Sequence, residues 1–451
     1  MRTTFLFLAI TIATQAIAEV QDVKAGGSLR IRGNWYSESD RDFDNDNSND
    51  LLYIEQRSTI NVTASLTDNV NAFAEFDYYS NWGDQFRGVD SDGIVTGADG
   101  VGTAGDEAIQ AGRGFPVNTT DGSLALYQGY IEIKEVWGSP ISVRLGRQEI
   151  QLNSEFLVGN NNTGSNFRGL SFDAFTTRTD LGDFQLRTMY SMIVRNNNPL
   201  RLESSGDTWF NGIQGSYVGF EGMTIDLYGV RYYQAKTDVT QALGYVDHIS
   251  FITIGAHFSG KRAQFDWDVE GAYQFGDSGL PDVAGVSSED INTFAGTAKA
   301  GYTFDVKTQP RIFLNGAYFN GDDEEPAFNR LFSDYEYSEF IDATDLTNVW
   351  TAGGGVGIQA TDTIALTAVA NYFQAVEDFG ADDNQIGIEV GLYASYDYSE
   401  DLSFTAGYAH FFAGDGIEDG QRVVLNGTGT LGGLGEADDM DYVFVETRIK
   451  F

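Results

Sequence analysis

The sequence predicts a transmembrane antiparallel β-barrel of the bacterial outer membrane with about eighteen strands. Three observations support this fold class: apolar and polar residues alternate along the whole chain, an export signal precedes them, and aromatic residues and glycine are abundant while proline is scarce. Sixteen strands is the alternative count, because segments such as 210–219 are rich in glycine and weakly patterned.

Strand 263–275 shows the alternation. Phe265, Trp267, Val269, Tyr273 and Phe275 alternate with polar or acidic residues. A period of two gives a strand one apolar and one polar face. A basic side chain facing lipid near the bilayer centre costs about 2–4 kcal/mol, so the polar faces should line a water-filled lumen.

The last eleven residues, 441–451, form a similar strand that ends on an aromatic residue, Phe451. Such an end is typical of barrels that the outer-membrane assembly machinery inserts. A closed barrel has no free edge. We therefore expect this strand to pair with the segment around Leu29 and Ile31, which would place Arg448 beside Arg30.

The N-terminus predicts export. A positive start is followed by the apolar run 5–12 and by Ala16-Ile17-Ala18, a small-x-small cleavage pattern. Residues 1–18 are thus the expected signal peptide. The run is too short to span a bilayer as a helix. Residues 19–451 show no linker and form one expected barrel domain in the outer membrane of a Gram-negative cell. The absence of cysteine excludes disulfides and thiolate metal sites.

The strands are predicted from hydrophobic alternation and from the turns between them. Their ranges are 28–36, 51–66, 70–81, 124–136, 141–151, 168–178, 184–195, 210–219, 223–234, 248–258, 263–275, 292–304, 311–319, 347–359, 364–376, 385–398, 402–413 and 441–451.

Short and long connections alternate between these strands, as expected for periplasmic turns and outer loops. Tight turns are predicted at 67–69, 137–140 and 399–401. Among the longer segments, 83–123 is rich in glycine and aspartate and is the expected plug or gate.

The formal net charge of −39 comes mainly from acidic residues in the predicted outer loops. Many basic residues instead lie on polar strand faces. The arginines that are candidates for lining the pore are Arg30, Arg32, Arg57, Arg144, Arg187, Arg311 and Arg448. Arginine-rich lumens favour anions. The alternative is that these bases only balance carboxylates in the lumen, such as Glu55 and Glu446.

The acidic loops keep the surface hydrated. A more specific hypothesis is that calcium binds at Asp42, Asp44 and Asp46, whose spacing resembles the start of a calcium loop. Asn47 and Tyr53 stand where that motif needs glycine and glutamate. No other cofactor is expected.

Neither an enzyme nor a nucleic-acid-binding protein is predicted. The three histidines, His248, His257 and His410, lie in or beside strands, where interfacial or lumenal roles are expected. Asp247 and His248 are adjacent, and adjacency within a strand would point their side chains to opposite faces. The low sequence pI of about 4.1 argues against binding to nucleic acid.

Several motifs resemble the alginate export family of porins. The similar segments are VRLGRQEI at 143–150, GLSFDA at 169–174, DWDVEGAYQFG at 266–276, PRIFLNGAYFNGD at 310–322 and FNRLF at 328–332. The resemblance implies an eighteen-stranded barrel that passes solutes without energy input. It also implies an arginine-lined constriction, for which Arg144, Arg147 and Arg168 are the matching residues. Strict alternation would point Arg147 at lipid, unless a bulge re-aims it or it lies above the apolar band.

Two functions are therefore considered. The first is passive diffusion of an anionic or carbohydrate solute, with alginate-like uronates as an example. The second is a structural or adhesion barrel that its loops plug and whose acidic surface binds calcium. The expected partners are outer-membrane lipid, lipopolysaccharide, the barrel-assembly machinery and the solute.

Overall fold

The chain forms a closed barrel, seen in a computed structural model. It describes residues 22–37, 50–82, 124–162, 167, 169–194, 207–236, 245, 247–280, 290–321, 326–340, 347–377, 383–418, 423–425, 429–431 and 438–451. The predicted signal peptide, the 83–123 segment and the acidic triplet Asp42, Asp44 and Asp46 lie outside these ranges.

Eighteen antiparallel strands make one sheet. They are β1 (Asp22–Tyr36), β2 (Leu51–Thr67), β3 (Val70–Asn81), β4 (Leu124–Ile133), β5 (Ile141–Gln148), β6 (Phe172–Leu181), β7 (Phe184–Val194), β8 (Thr208–Phe220), β9 (Met223–Gln234), β10 (Ile249–Arg262), β11 (Phe265–Asp277), β12 (Asp290–Thr303), β13 (Arg311–Phe319), β14 (Val349–Gln359), β15 (Ile364–Ala375), β16 (Gln385–Asp397), β17 (Leu402–Ala413) and, after a short hairpin, β20 (Met440–Lys450). The prediction of eighteen strands rather than sixteen is confirmed.

The short hairpin is not among the predicted strands. Its strands, β18 (Val423–Leu425) and β19 (Gly429–Leu431), pair with each other as a separate two-stranded sheet. A four-residue helix, Asp415–Glu418, precedes it. Within the described ranges, no α-helix combines the length and hydropathy that a membrane-crossing helix requires.

The barrel closes between its first and last strands, as expected. In the register of β1 and β20, Leu29 pairs with Ile449 and Arg30 pairs with Arg448. Phe451 extends the pairing because its backbone N–H donates to the carbonyl of Gly27 at 3.0 Å. The sheet therefore leaves no open edge at its seam, as a bilayer requires of a spanning β structure.

The outer wall is apolar and carries aromatic pairs at both ends. Leu145, Leu314 and Leu392 are largely exposed on it. Near the long-loop ends of the strands, the ring centroids of Trp350 and Tyr372 are 5.3 Å apart, and similar pairs occur near the short turns. This arrangement is that of a lipid-facing band between two aromatic girdles. The opposite faces of the same strands point into the barrel.

Candidate functional site

Two connections fold into the barrel instead of extending outward. The described parts of the β5–β6 connection (149–162, 167 and 169–171) are termed segment A, and residues 326–340 of the β13–β14 connection are termed segment B. Aromatic residues of segment B contact inward-facing residues of strands that are not neighbours in the sheet. Phe332 packs on β6 and β8, whereas Phe340 packs on β1, β17 and β20. Only a position inside the lumen allows such contacts.

These two segments form an apolar core near the long-loop end of the lumen. Phe156 of segment A is fully buried, with its ring centroid 5.4 Å from that of Phe319 at the end of β13 and 5.7 Å from that of Tyr335. Tyr337 packs on Phe373 of β15. The lumen at this level is therefore filled by side chains.

Polar residues of the wall hold the segments in place. Glu270 of β11 accepts hydrogen bonds from Asn153 and from the Ser154 hydroxyl of segment A, at 3.3 and 2.6 Å. Gln274, also on β11, makes two hydrogen bonds with the backbone of Asn329, at 2.7 and 2.9 Å. On the other side, Glu389 of β16 accepts a short hydrogen bond from the Ser338 hydroxyl. The lumen core is thus attached to opposite parts of the wall.

The candidate arginines of β1, β2 and β20 share one face and lie side by side. Arg30 is directly opposite Arg57 on one side and Arg448 on the other. Arg30, Arg32 and Arg57 are only 3–5% exposed. Glu446 is within 2.9 Å of Arg30 and 2.7 Å of Arg32. A carboxylate thus compensates two of these buried guanidinium groups.

Segment A covers this row of arginines. The guanidinium carbon of Arg30 lies 4.2 Å from the centroid of the Phe167 ring, a cation–π distance. Arg57 donates to the side chain of Asn162 at 2.8 Å and is 3.2 Å from Asp77. We term Arg30, Arg32 and Arg57 the covered arginines, because segment A and carboxylates occupy their polar and aromatic contacts.

A second group of arginines lies on β5, β6 and β7 near the short turns. Arg187 is directly opposite Arg178 in the pairing of β6 with β7, and Arg144 is opposite Thr176 in the pairing of β5 with β6. Arg144 is 3.0 Å from Glu132 and keeps about a third of its side chain exposed. Arg187 donates to the carbonyl of Gln151 at 3.2 Å and to Gln214 at 3.4 Å. Among the described residues, Arg187 has no carboxylate within ion-pair distance. Arg144, Arg178 and Arg187 are termed the open arginines.

The sequence analysis did not include Arg178 among the candidates, although its side chain faces the lumen like those of Arg144 and Arg187. Alternation from Phe172, Ala174 and Thr176 places Arg178 inward, but residue 178 is the last residue of the predicted strand. Its ion pair with Asp180 (3.1 Å) is exposed and adds little stability.

The candidates Arg311, Arg448 and Arg168 belong to neither group. Arg311 lies 2.6 Å from Asp266. Arg448 has no ion pair within the described chain, and its Nε is buried without a hydrogen-bond partner. Arg168 lies outside the described residues.

Arg147 does not line the lumen, contrary to the assignment taken from the family motif. The register of β5 contains no bulge, so Arg147 stays on the outward face with Leu145. There it makes two parallel hydrogen bonds to Asp173, at 2.8 and 3.0 Å. The ion pair with the neighbouring strand satisfies the guanidinium on the outer wall, and strict alternation gives the correct orientation.

The histidines take part in hydrogen-bond networks. His257 faces inward between Asp226 and Asp268, at 2.9 and 3.1 Å. His410 lies on the outer face, 2.8 Å from Asp441. The prediction that Asp247 and His248 point apart is wrong: the two side chains are 2.7 Å apart. Strand alternation does not apply to them because β10 begins only at Ile249.

Comparisons with known proteins agree with this architecture. The sequence profile of the alginate export family matches residues 21–429. No curated protein sequence matches the chain significantly.

Solved outer-membrane porins are similar in fold. OccK8 (OprE) of Pseudomonas aeruginosa is 14% identical, with a TM-score of 0.58 over 96% of this chain and 98% of that one. OccAB3 of Acinetobacter baumannii is 13% identical, with a TM-score of 0.58 over 95% and 100%. A BenF-like porin of Pseudomonas fluorescens Pf-5 is 10% identical, with a TM-score of 0.52 over 96% and 100%.

The family match and the porin-like barrel support the channel hypothesis and the outer-membrane location. The chain belongs to the alginate export family and is an outer-membrane channel for solute diffusion.

Proposed function

We propose that the channel conducts anionic solutes, and that saccharides carrying uronate carboxylates are its preferred class. The observation that carries this proposal is the position of Arg187. It faces the lumen beside Arg178 and near Arg144, and it has no carboxylate partner among the described residues. A positive charge without an ion-pair partner in the described part of the wall is available to a passing anion.

The chemistry of arginine favours a carboxylate over other anions of similar size. Its planar guanidinium donates two parallel hydrogen bonds to a carboxylate, as Arg147 does to Asp173 on the outer wall. A uronate polymer presents one carboxylate on each sugar ring, so successive rings could engage Arg144, Arg178 and Arg187 in turn. The family's description, alginate export, fits this solute class.

A catalytic role is not part of the proposal. The family and the fold are those of channels, and His257, the histidine that faces the lumen, is held between two carboxylates of the wall. Calcium binding at Asp42, Asp44 and Asp46 remains a prediction. We also propose that the assembly machinery recognises the terminal strand through Phe451, which is 73% exposed.

The proposal is tested by current block in planar bilayers. Uronate oligomers should reduce the single-channel current more strongly than neutral oligosaccharides of equal length. Arg144→Gln combined with Arg187→Gln should weaken this block about tenfold, which corresponds to about 1.4 kcal/mol.

Arg147→Gln is the matched control, because Arg147 lies on the same strand as Arg144 but faces outward. It should leave the block unchanged. Equal block by charged and neutral oligomers, or an equal effect of the inward and outward substitutions, would contradict the proposal.

A further inference from the structure

Segments A and B meet along a short stretch of paired backbone inside the lumen. Val158 and Phe332 form a parallel β-bridge. The N–H of Gly159 donates to the carbonyl of Phe332 at 2.8 Å, and the N–H of Phe332 donates to the carbonyl of Leu157 at 2.9 Å. This contact joins the two parts of the lumen core, which neither segment could form alone.

One end of this contact brings two carboxyl groups together. The N–H of Asp334 donates to the carbonyl of Glu155 at 3.0 Å, which places the two side chains at the same point of the contact. Both lie against Gly159, where an added Cβ would clash with the Cβ of Asp334 and come within 2.8 Å of Glu155 Oε2. Asp334 is 7% exposed. Two carboxylates held around the same glycine repel each other, so their approach is favoured when one of the carboxyl groups carries a proton.

We propose that the Glu155–Asp334 contact is a proton-dependent latch, which joins segments A and B when protonated and loosens them when the proton is lost. The device is separate from anion selectivity, since its parts belong to the lumen core and not to the open arginines.

The surroundings of Glu155 favour its protonated form. Burial, followed by the charge and hydrogen bond of Asp334, raises the pKa of Glu155 to about 7. Glu149, on the same segment, acts in the same direction, whereas a hydrogen bond from the backbone of Asn160 opposes it.

Charged groups of the wall also face this region. Glu270 of β11 binds the adjacent Ser154, and Arg187 of β7 binds the carbonyl of Gln151, whose side chain donates to Glu155 at 2.8 Å. Neither is in direct contact with the Glu155 carboxyl group. The nearest titratable partner is therefore Asp334.

The direction of the pH dependence follows from the difference in proton binding between the joined and separated states. When the segments separate, Glu155 regains an ordinary pKa near 4.5. The joined state binds the proton more tightly than the separated state. The proton therefore stabilises the joined state fully below pH 4.5, and this stabilisation is lost as the pH rises to about 7. Over this window the equilibrium for separation should increase by up to about tenfold per pH unit.

Thiol labelling tests the latch without relying on conductance. The chain contains no cysteine, so Leu157→Cys supplies one buried thiol at the contact. Its labelling by a membrane-impermeant maleimide is measured in the full-length barrel from pH 4.5 to 8, with and without Glu155→Gln. The amide cannot ionise, which keeps the contact joined at every pH.

The labelling rate should rise more steeply with pH when Glu155 is present, by about tenfold or more between pH 5 and 7 relative to the same protein carrying Glu155→Gln. Taking this ratio removes the common effect of thiol ionisation. Identical pH profiles with and without the substitution would overturn the latch. Asp334→Asn provides a second variant in case Glu155→Gln prevents assembly, and it should likewise flatten the profile. Glu221→Gln, in the β8–β9 turn, controls for loss of a distant carboxylate.

Discussion

The covered arginines and the open arginines share a residue type and a strand face, yet they have different environments. Arg30, Arg32 and Arg57 are almost fully buried against carboxylates, Phe167 and Asn162. Arg144 and Arg178 keep a third or more of their side chains exposed, and Arg187 lacks a carboxylate partner within the described ranges. An inward-facing arginine is therefore not by itself a solute-binding residue. What packs over it decides its role: side chains of segment A, Phe167 and Asn162, bury the covered arginines, whereas the same segment contacts Arg187 through the backbone carbonyl of Gln151.

The largest expected effect on stability comes from removing an ion pair of the covered arginines. Glu446→Gln removes the carboxylate that forms ion pairs with both Arg30 and Arg32. Two buried guanidinium groups would lose this ion pair, and we expect the free energy of unfolding to fall by about 3 kcal/mol. Urea unfolding of the barrel in lipid vesicles measures this change.

Glu132→Gln is the matched control for the open arginines, because Glu132 is the partner of Arg144, whose side chain is about a third exposed. It should cost less than about 1 kcal/mol. Equal losses of unfolding free energy for Glu446→Gln and Glu132→Gln would show that burial does not distinguish the covered arginines from the open arginines.

A smaller effect is expected from removing the aromatic cover. Phe167→Ala deletes a buried ring that stacks on Arg30 and contacts Tyr79. The loss should be about 2–3 kcal/mol, below the full cost in a rigid core, because segment A can relax into the lumen. Hydrogen exchange of segment A should increase with little change in the strands.

Phe73→Ala is the comparison near the short turns, on β3, the strand that also carries Tyr79. Phe73 stacks on Tyr130, the ring below Arg144, but is only half-buried. It should cost about half as much as Phe167→Ala. If Phe73→Ala lowered the free energy of unfolding more than Phe167→Ala, the packing of Phe167 on Arg30 would not be the more important contact.

The sequence predicted the wall far better than the lumen core. Alternation depends on local chemistry, so it located the eighteen strands and their faces. Closure of the barrel predicted that the last strand pairs with the segment around Leu29 and Ile31, as observed. It also gave the outward direction of Arg147 correctly, whereas the family motif suggested the lumen. Strand periodicity is a signal that one segment carries by itself.

The inward folding of segments A and B depends on contacts between distant residues, which no periodicity records. Phe156 meets Phe319 and Tyr335 across more than 150 residues of chain. A signal was nevertheless present. Phe156-Leu157-Val158 and the aromatic residues from Phe328 to Phe340 are too apolar for loops that water surrounds. Apolar residues in a connection predict that the connection packs against a core.

The reversal potential under a salt gradient tests the central claim most directly, since it measures anion over cation permeability. Arg187→Gln should shift it toward the cation-selective direction, because a lumen charge without a carboxylate partner among the described residues is removed. The double variant Arg57→Gln/Asp77→Asn removes a covered ion pair and should leave the potential within a few millivolts of wild type. A larger shift from the covered pair than from Arg187 would contradict the assignment of the open arginines to the solute path.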